Sequence, residues 1–199
     1  MIHHVLGLFT HPEQEWKEIR GEEESISHMY FTHVLILAAI PAISAYIGTS
    51  QVGWIIGNGD PVKLTTASAL QMTVMTYIAM LIGIGAMGAF IHWMSRTYDS
   101  NPTITQCVVF AAYNATPLFI GGLAALYPNL WLSMLVGTAA ICYTGYLLYV
   151  GIPVFMGIPE EEGFVYASSI LAIGLVMLVT MMAMSVVLWG VGIGPVYTS

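Results

Sequence analysis

The side chains best suited to chemistry in this sequence are its histidines: His3, His4, His11, His28, His33 and His92. A neutral imidazole ligates transition metals and a histidine changes charge near neutral pH, so one placed beside a carboxylate is a candidate metal or proton site. His33 opens one long apolar stretch and His92 closes the next. If the two stretches are antiparallel neighbours, these ends lie at similar depth, with Glu13 or Glu160 as the candidate carboxylate. The spacing matches no recognised ligand pattern. The plain alternative is a set of interfacial histidines facing headgroups and water, and no resident cofactor is expected.

A second constellation is Tyr113-Asn114-Ala115-Thr116-Pro117, inside another apolar stretch. Pro117 removes a backbone donor and crowds the carbonyl of Tyr113, four residues earlier, so a kink is expected there. Asn114 is costly in hydrocarbon unless a partner meets it. Asn114 and Thr116 either repair hydrogen bonding between helices or face a polar interior that binds or conducts a solute. Pro41 and Pro153 interrupt two further stretches. A third constellation is Gly151-Ile152-Pro153 followed by Gly157-Ile158-Pro159 and Glu160, Glu161 and Glu162. The glutamates suit the positive end of a following helix, and a docking or cation-binding role is the alternative.

These residues offer little to an enzyme. There is no HExxH zinc signature, no Gly-rich phosphate loop and no aspartate inside any apolar stretch. No nucleophile–base pair stands out, so enzyme activity is not expected. Four basic residues cannot form a nucleic-acid surface. Cys107 and Cys142 both fall in apolar stretches without metal-site spacing and read as small core residues.

The elements that must position these side chains follow from the charges. Hydrophobic residues make up 57% of the chain and charged residues 8%, against about 25% charged in a soluble domain. Every charge belongs to one of four places: Glu13 to Glu24, Asp60 with Lys63, Arg96 with Asp99, and Glu160 to Glu162. A charge in mid-bilayer costs at least roughly 2.5–3.5 kcal/mol, so these clusters lie outside the spans, and the tight turn Tyr127-Pro128-Asn129 marks the one uncharged loop. The predicted class is an all-α integral membrane protein with five spans, at about 33–57, 67–94, 104–126, 130–156 and 164–190. Together residues 25–199 make the membrane domain. Gly83, Gly85 and Gly88 in the second span favour close helix approach. Thr103 is placed to cap the third span.

Residues 1–24 precede the spans. Ile2, Val5, Leu6 and Phe9 share one helical stripe, and Pro12 starts a second segment that carries Trp16 and Ile19 on one face. Two short amphipathic helices lying at the membrane surface are expected. The first residues lack a basic segment and a cleavage site, so the first span should insert and stay. Lys17, Arg20 and Arg96 then share one side, with Lys63 alone on the other. That split predicts a cytoplasmic N-terminus and a periplasmic C-terminus in a bacterial inner membrane. Membrane lipids are the expected partners, together with a second copy of the chain or another membrane protein.

The His11-Pro12-Glu13 and Trp16 opening, the Tyr113 to Pro117 segment and the Gly151 to Tyr166 stretch (GIPVFMGIPEEEGFVY) together resemble the bacterial branch of the Yip1 domain family. The resemblance covers nearly the whole chain and implies five spans. Eukaryotic members act in vesicle trafficking and bind Rab GTPases through a machinery that a bacterial chain with a short N-terminal region lacks, so that partner is not carried over. The expected function is a non-enzymatic organiser of membrane proteins or lipids. A channel or transporter for a small solute or metal ion, built on the proline-broken helices, is the alternative.

Overall fold

The computed structural model describes residues 2–22, 25–55, 60–98, 100–192 and 194–198. It is all-helical, with no strand among the described residues. Two short helices, α1 (Ile2–Thr10) and α2 (Pro12–Gly21), precede five that are long and apolar enough to cross a membrane. These are α3 (Ile26–Val52), α4 (Thr66–Tyr98), α5 (Ile104–Leu126), α6 (Leu130–Met156) and α7 (Glu160–Gly190).

Polar caps begin four of the five long helices. Ser25, Thr65, Thr103 and Asn129 each accept a hydrogen bond from a first-turn backbone N–H. Thr103 forms a full capping box, because Gln106 Oε1 returns to the Thr103 N–H at 2.9 Å. Such a cap contributes about 1 kcal/mol. Thr103→Val is therefore expected to lower stability by about that amount, read as a lower unfolding midpoint in detergent. The fifth helix starts differently, at Pro159 with Glu160, Glu161 and Glu162 in its first turn. All three glutamates are exposed, and they act on the helix through charge.

The third and fourth spans fall where the sequence predicts them. The first begins at Ile26, because Ser25 caps it and no charge stops it earlier, and ends at Val52 rather than 57. Gly53, at φ 88, turns the chain there, and Trp54 pairs with Val62 in an isolated antiparallel bridge. The sequence Asn58-Gly59-Asp60-Pro61 is a turn signal, and its first two residues lie outside the described ones. The fifth span starts four residues earlier than predicted and includes its glutamates. The chain's tail folds back on this end of the bundle through a Leu64–Tyr197 bridge.

The prolines act differently from one another. The helix runs through Pro41 and through Pro153, so neither breaks its span. α6 ends instead at Gly157, whose left-handed φ of 69 lets its N–H reach the Pro153 carbonyl. The expected kink near Pro117 is a real interruption: the helix stops at Ala115 and restarts at Thr116, which places Pro117 in a first turn where no N–H is needed.

α5 is the centre of the bundle, packed by α3, α4 and α6, and α7 packs on α6 and α4. Cys107 is buried there, whereas Cys142 faces outward on α6, so only one cysteine is a core residue. The N-terminal helices do not merely rest on a surface. They form an antiparallel hairpin whose residues Leu8, Trp16 and Ile19 are buried against the long helices. On α1 the buried face is His4 and Leu8, while Leu6 and Phe9 of the expected stripe are exposed. The Tyr143 hydroxyl donates to the Leu8 carbonyl at 3.0 Å. Tyr143 lies midway along α6, about 20 Å from its Met156 end by the helical rise.

Candidate functional site

The hairpin has a built seat. The Trp16 indole lies between Phe110 and Phe155, with ring centroids 4.6 and 5.9 Å away. Gly151 makes the room: a Cβ there would sit 2.7 Å from the indole. One turn on, Arg20 Nη1 donates to the Val154 carbonyl at 3.0 Å, which satisfies an acceptor in the last turn of α6. Gly163 packs directly over the Pro153 ring. The Gly151–Tyr166 stretch, with its two Gly-Ile-Pro triplets, is thus the surface that receives α2. Tyr166 itself is fully buried and donates to the Ile91 carbonyl of α4.

Beneath α1 runs a line of polar side chains. Glu15 is buried, and its Oε1 is 2.5 Å from His4 Nδ1 and 3.9 Å from His3 Nδ1. The other His4 nitrogen is 3.2 Å from Glu22. The His4 ring meets the Tyr113 ring edge-on at 5.6 Å, and Tyr113 packs against His33 at 4.5 Å. His33 Nε2 shares a 3.1 Å hydrogen bond with Thr116 Oγ1, and both side chains are fully buried. Three residues singled out from sequence, His33, Tyr113 and Thr116, therefore meet.

The four proposed metal ligands do not. His92 Nδ1 donates to the Pro102 carbonyl at 3.1 Å. Glu13 pairs with Lys17 at 2.8 Å on the exposed side of α2, and that hydrogen bond and charge hold its carboxyl below the usual range. Glu160 stands exposed on α7. The cluster that does assemble is His3, His4 and Glu15. Part of its signal lay in the sequence, since Glu15 shares the α2 face of Trp16 and Ile19. The hairpin turn that carries His4 back onto that face is a tertiary feature.

On the far side of α5 lies a recess of about 320 Å³, walled by α4, α5, α6 and α7. It exists because α7 leaves the bundle: Gly163, Tyr166, Ala167 and Ile170 are buried, and no described residue beyond Ile170 on that helix is. Leu118, Ile141, Leu175 and Leu178 form an exposed rim. Asn114 and Thr144 also line it, and Asn114 Oδ1 and Thr144 Oγ1 are buried atoms with no hydrogen-bond partner. Gly83 and Gly145 face it with open space where a side chain would be.

Five apolar spans, the central one a broken helix, with an N-terminal hairpin seated at one end, make a multi-pass integral membrane protein. The Yip1 domain family model matches residues 6–181, and the chain belongs to that family. It is 52% identical over 189 residues to "Inner membrane protein YohC" of Escherichia coli (strain K12), covering 95% of this chain and 97% of that protein. A more distant relative is "Uncharacterized protein MJ0794" of Methanocaldococcus jannaschii, 22% identical over 126 residues, covering 63% of this chain and 88% of that one. No solved structure matches the chain. The inner-membrane relative and the five apolar helices together support a multi-pass inner-membrane location.

Proposed function

We propose that the protein is a non-enzymatic membrane organiser that engages lipids of the inner membrane through the recess beside Asn114, with its N-terminus cytoplasmic and its C-terminus periplasmic. The carrying observation is the recess itself, an apolar hollow open between the middles of four spanning helices. In a bilayer such a hollow is filled by acyl chains. Lys17, Arg20 and Arg96 on the hairpin side support the orientation.

Gly83 and Gly145 supply the test, since both line the hollow and a Cβ at either meets nothing within 4 Å. Gly145→Leu and Gly83→Leu proteins are expected to fold normally and to release lipid that the wild type retains through purification. Native mass spectrometry of protein freed from detergent reads this directly. Equal lipid retention in wild type and both variants would sink the reading.

A channel or transporter for a small solute or metal ion is the second reading, favoured by the helix interruption at Ala115 between Asn114 and the His33–Thr116 pair. Flux in proteoliposomes that Asn114→Leu abolishes would replace the lipid reading with it. A second copy or another membrane protein has a natural place on the outer half of α7, where none of the described residues from Leu171 to Gly190 is buried.

A further inference from the structure

The geometry points to a divalent transition-metal site, of the zinc class, formed by His3, His4 and Glu15 inside the N-terminal hairpin. One ligand atom from each of the three residues lies within 4.8 Å of the others, and His3 Nδ1 and His4 Nδ1 are 3.9 and 2.5 Å from Glu15 Oε1. A tetrahedral cation with bonds of about 2.0–2.1 Å sets its ligand atoms about 3.3 Å apart. The 3.9 Å separation from His3 must shorten and the 2.5 Å separation from His4 must lengthen, each by less than about 1 Å. His3 can make that adjustment freely, because its side chain is 79% exposed.

Three further features fit a cation. Glu15 is a carboxylate only 4% exposed, and among the described residues its ionic partners are these two histidines, with no lysine or arginine. A buried carboxylate needs compensating charge, and a dication at this point supplies it. Glu22 faces the opposite nitrogen of His4 at 3.2 Å. A carboxylate there takes the second ring N–H, which fixes the tautomer and turns Nδ1 toward the metal. On binding, the cation takes the place of the proton between His4 Nδ1 and Glu15, which passes to solvent or to Nε2, so that Nε2–H donates to Glu22. Finally, Gly7 gives the carboxylate its space, since a Cβ at Gly7 would lie 1.6 Å from Glu15 Oε2.

The donor set selects the metal. Two imidazoles and one carboxylate suit zinc, cobalt or nickel, whereas magnesium and calcium prefer oxygen ligands throughout. The exposed side, at His3, leaves a position for water. Bound there, the cation ties α1 to α2.

The test uses tag-free, full-length protein in lipid nanodiscs, stripped with chelator and titrated calorimetrically with Zn²⁺, with Mg²⁺ as the counter-titrant. One equivalent of Zn²⁺ is expected to bind and Mg²⁺ not to compete. His3→Ala, which removes an exposed ligand without touching the core, should weaken binding at least about tenfold, and Glu22→Gln about tenfold through the outer contact. Co²⁺ in place of Zn²⁺ should show four-coordinate visible absorption that His3→Ala abolishes. His11→Ala, an exposed histidine off the site, should leave both readouts unchanged. No saturable equivalent of Zn²⁺, or affinity unaltered by His3→Ala, overturns the site. So does binding lost in His11→Ala.

Discussion

Trp16→Ala is expected to undock the N-terminal hairpin. The indole is fully buried between Phe110 and Phe155, and it fills a hollow that exists only because residue 151 is glycine. Truncating a buried tryptophan costs about 3–5 kcal/mol in a core that cannot collapse. The lower end applies here, because the released hairpin can lay its apolar face on lipid rather than water. A loss of about 3 kcal/mol moves the docking equilibrium about a hundredfold. Backbone amides of residues 2–21 should then exchange hydrogen much faster, while those in the middle of α5 stay protected. Trp16→Phe, which keeps an aromatic ring on Phe110, should restore most of the protection. Gly151→Leu attacks the same contact from the other side and should give the same exchange pattern. Slow exchange across residues 2–21 in Trp16→Ala would show that the hairpin is held elsewhere, for instance by Arg20 on the Val154 carbonyl.

The hairpin also shows where sequence reading ends. Three of the four loops were legible because charge is excluded from hydrocarbon, and the uncharged one, at residues 127–129, because Pro128 and Asn129 are turn residues. Caps were legible for the same local reason, as Thr103 and Gln106 illustrate. Proline was a poorer guide. A proline removes one donor wherever it stands, yet the helix continues through Pro41 and Pro153 and is interrupted only before Pro117. The pairing of elements was not legible at all. His3 and His4 on α1, and Glu15 on α2, carry no spacing that marks them as neighbours; the turn at His11-Pro12 brings them together. His33 and Thr116 are 83 residues apart and meet only because α3 packs on α5. The recess is a still less local property, since it depends on where α7 parts from the bundle.

The glycines of α4 turn that distinction into a prediction of opposite signs within one helix. Gly83, Gly85 and Gly88 look alike in sequence, as small residues in one apolar span. In the fold their surroundings differ. A Cβ on Gly88 would lie 2.7 Å from the Val108 Cα and 3.0 Å from its nitrogen, which are backbone atoms of α5 that cannot swing aside. A Cβ on Gly85 meets only the Tyr30 hydroxyl, at 3.0 Å, and one on Gly83 meets nothing within 4 Å. Gly88→Leu must push α4 and α5 apart, which costs about 1–3 kcal/mol or more. The gain of about 0.8–1.0 kcal/mol from removing a helical glycine offsets only part of that. Gly83→Leu keeps the propensity gain and adds apolar surface to the recess. Thermal unfolding in one detergent should therefore rank Gly83→Leu at or above wild type and Gly88→Leu well below it. Because α4–α5 packing also sets the inner wall of the recess, Gly88→Leu should lose lipid and stability together, whereas Gly83→Leu should lose lipid alone. Equal destabilisation by both would mean that close helix contact extends along the whole glycine stripe and that no recess faces Gly83. The split between them is what separates a lipid site from a packing seam.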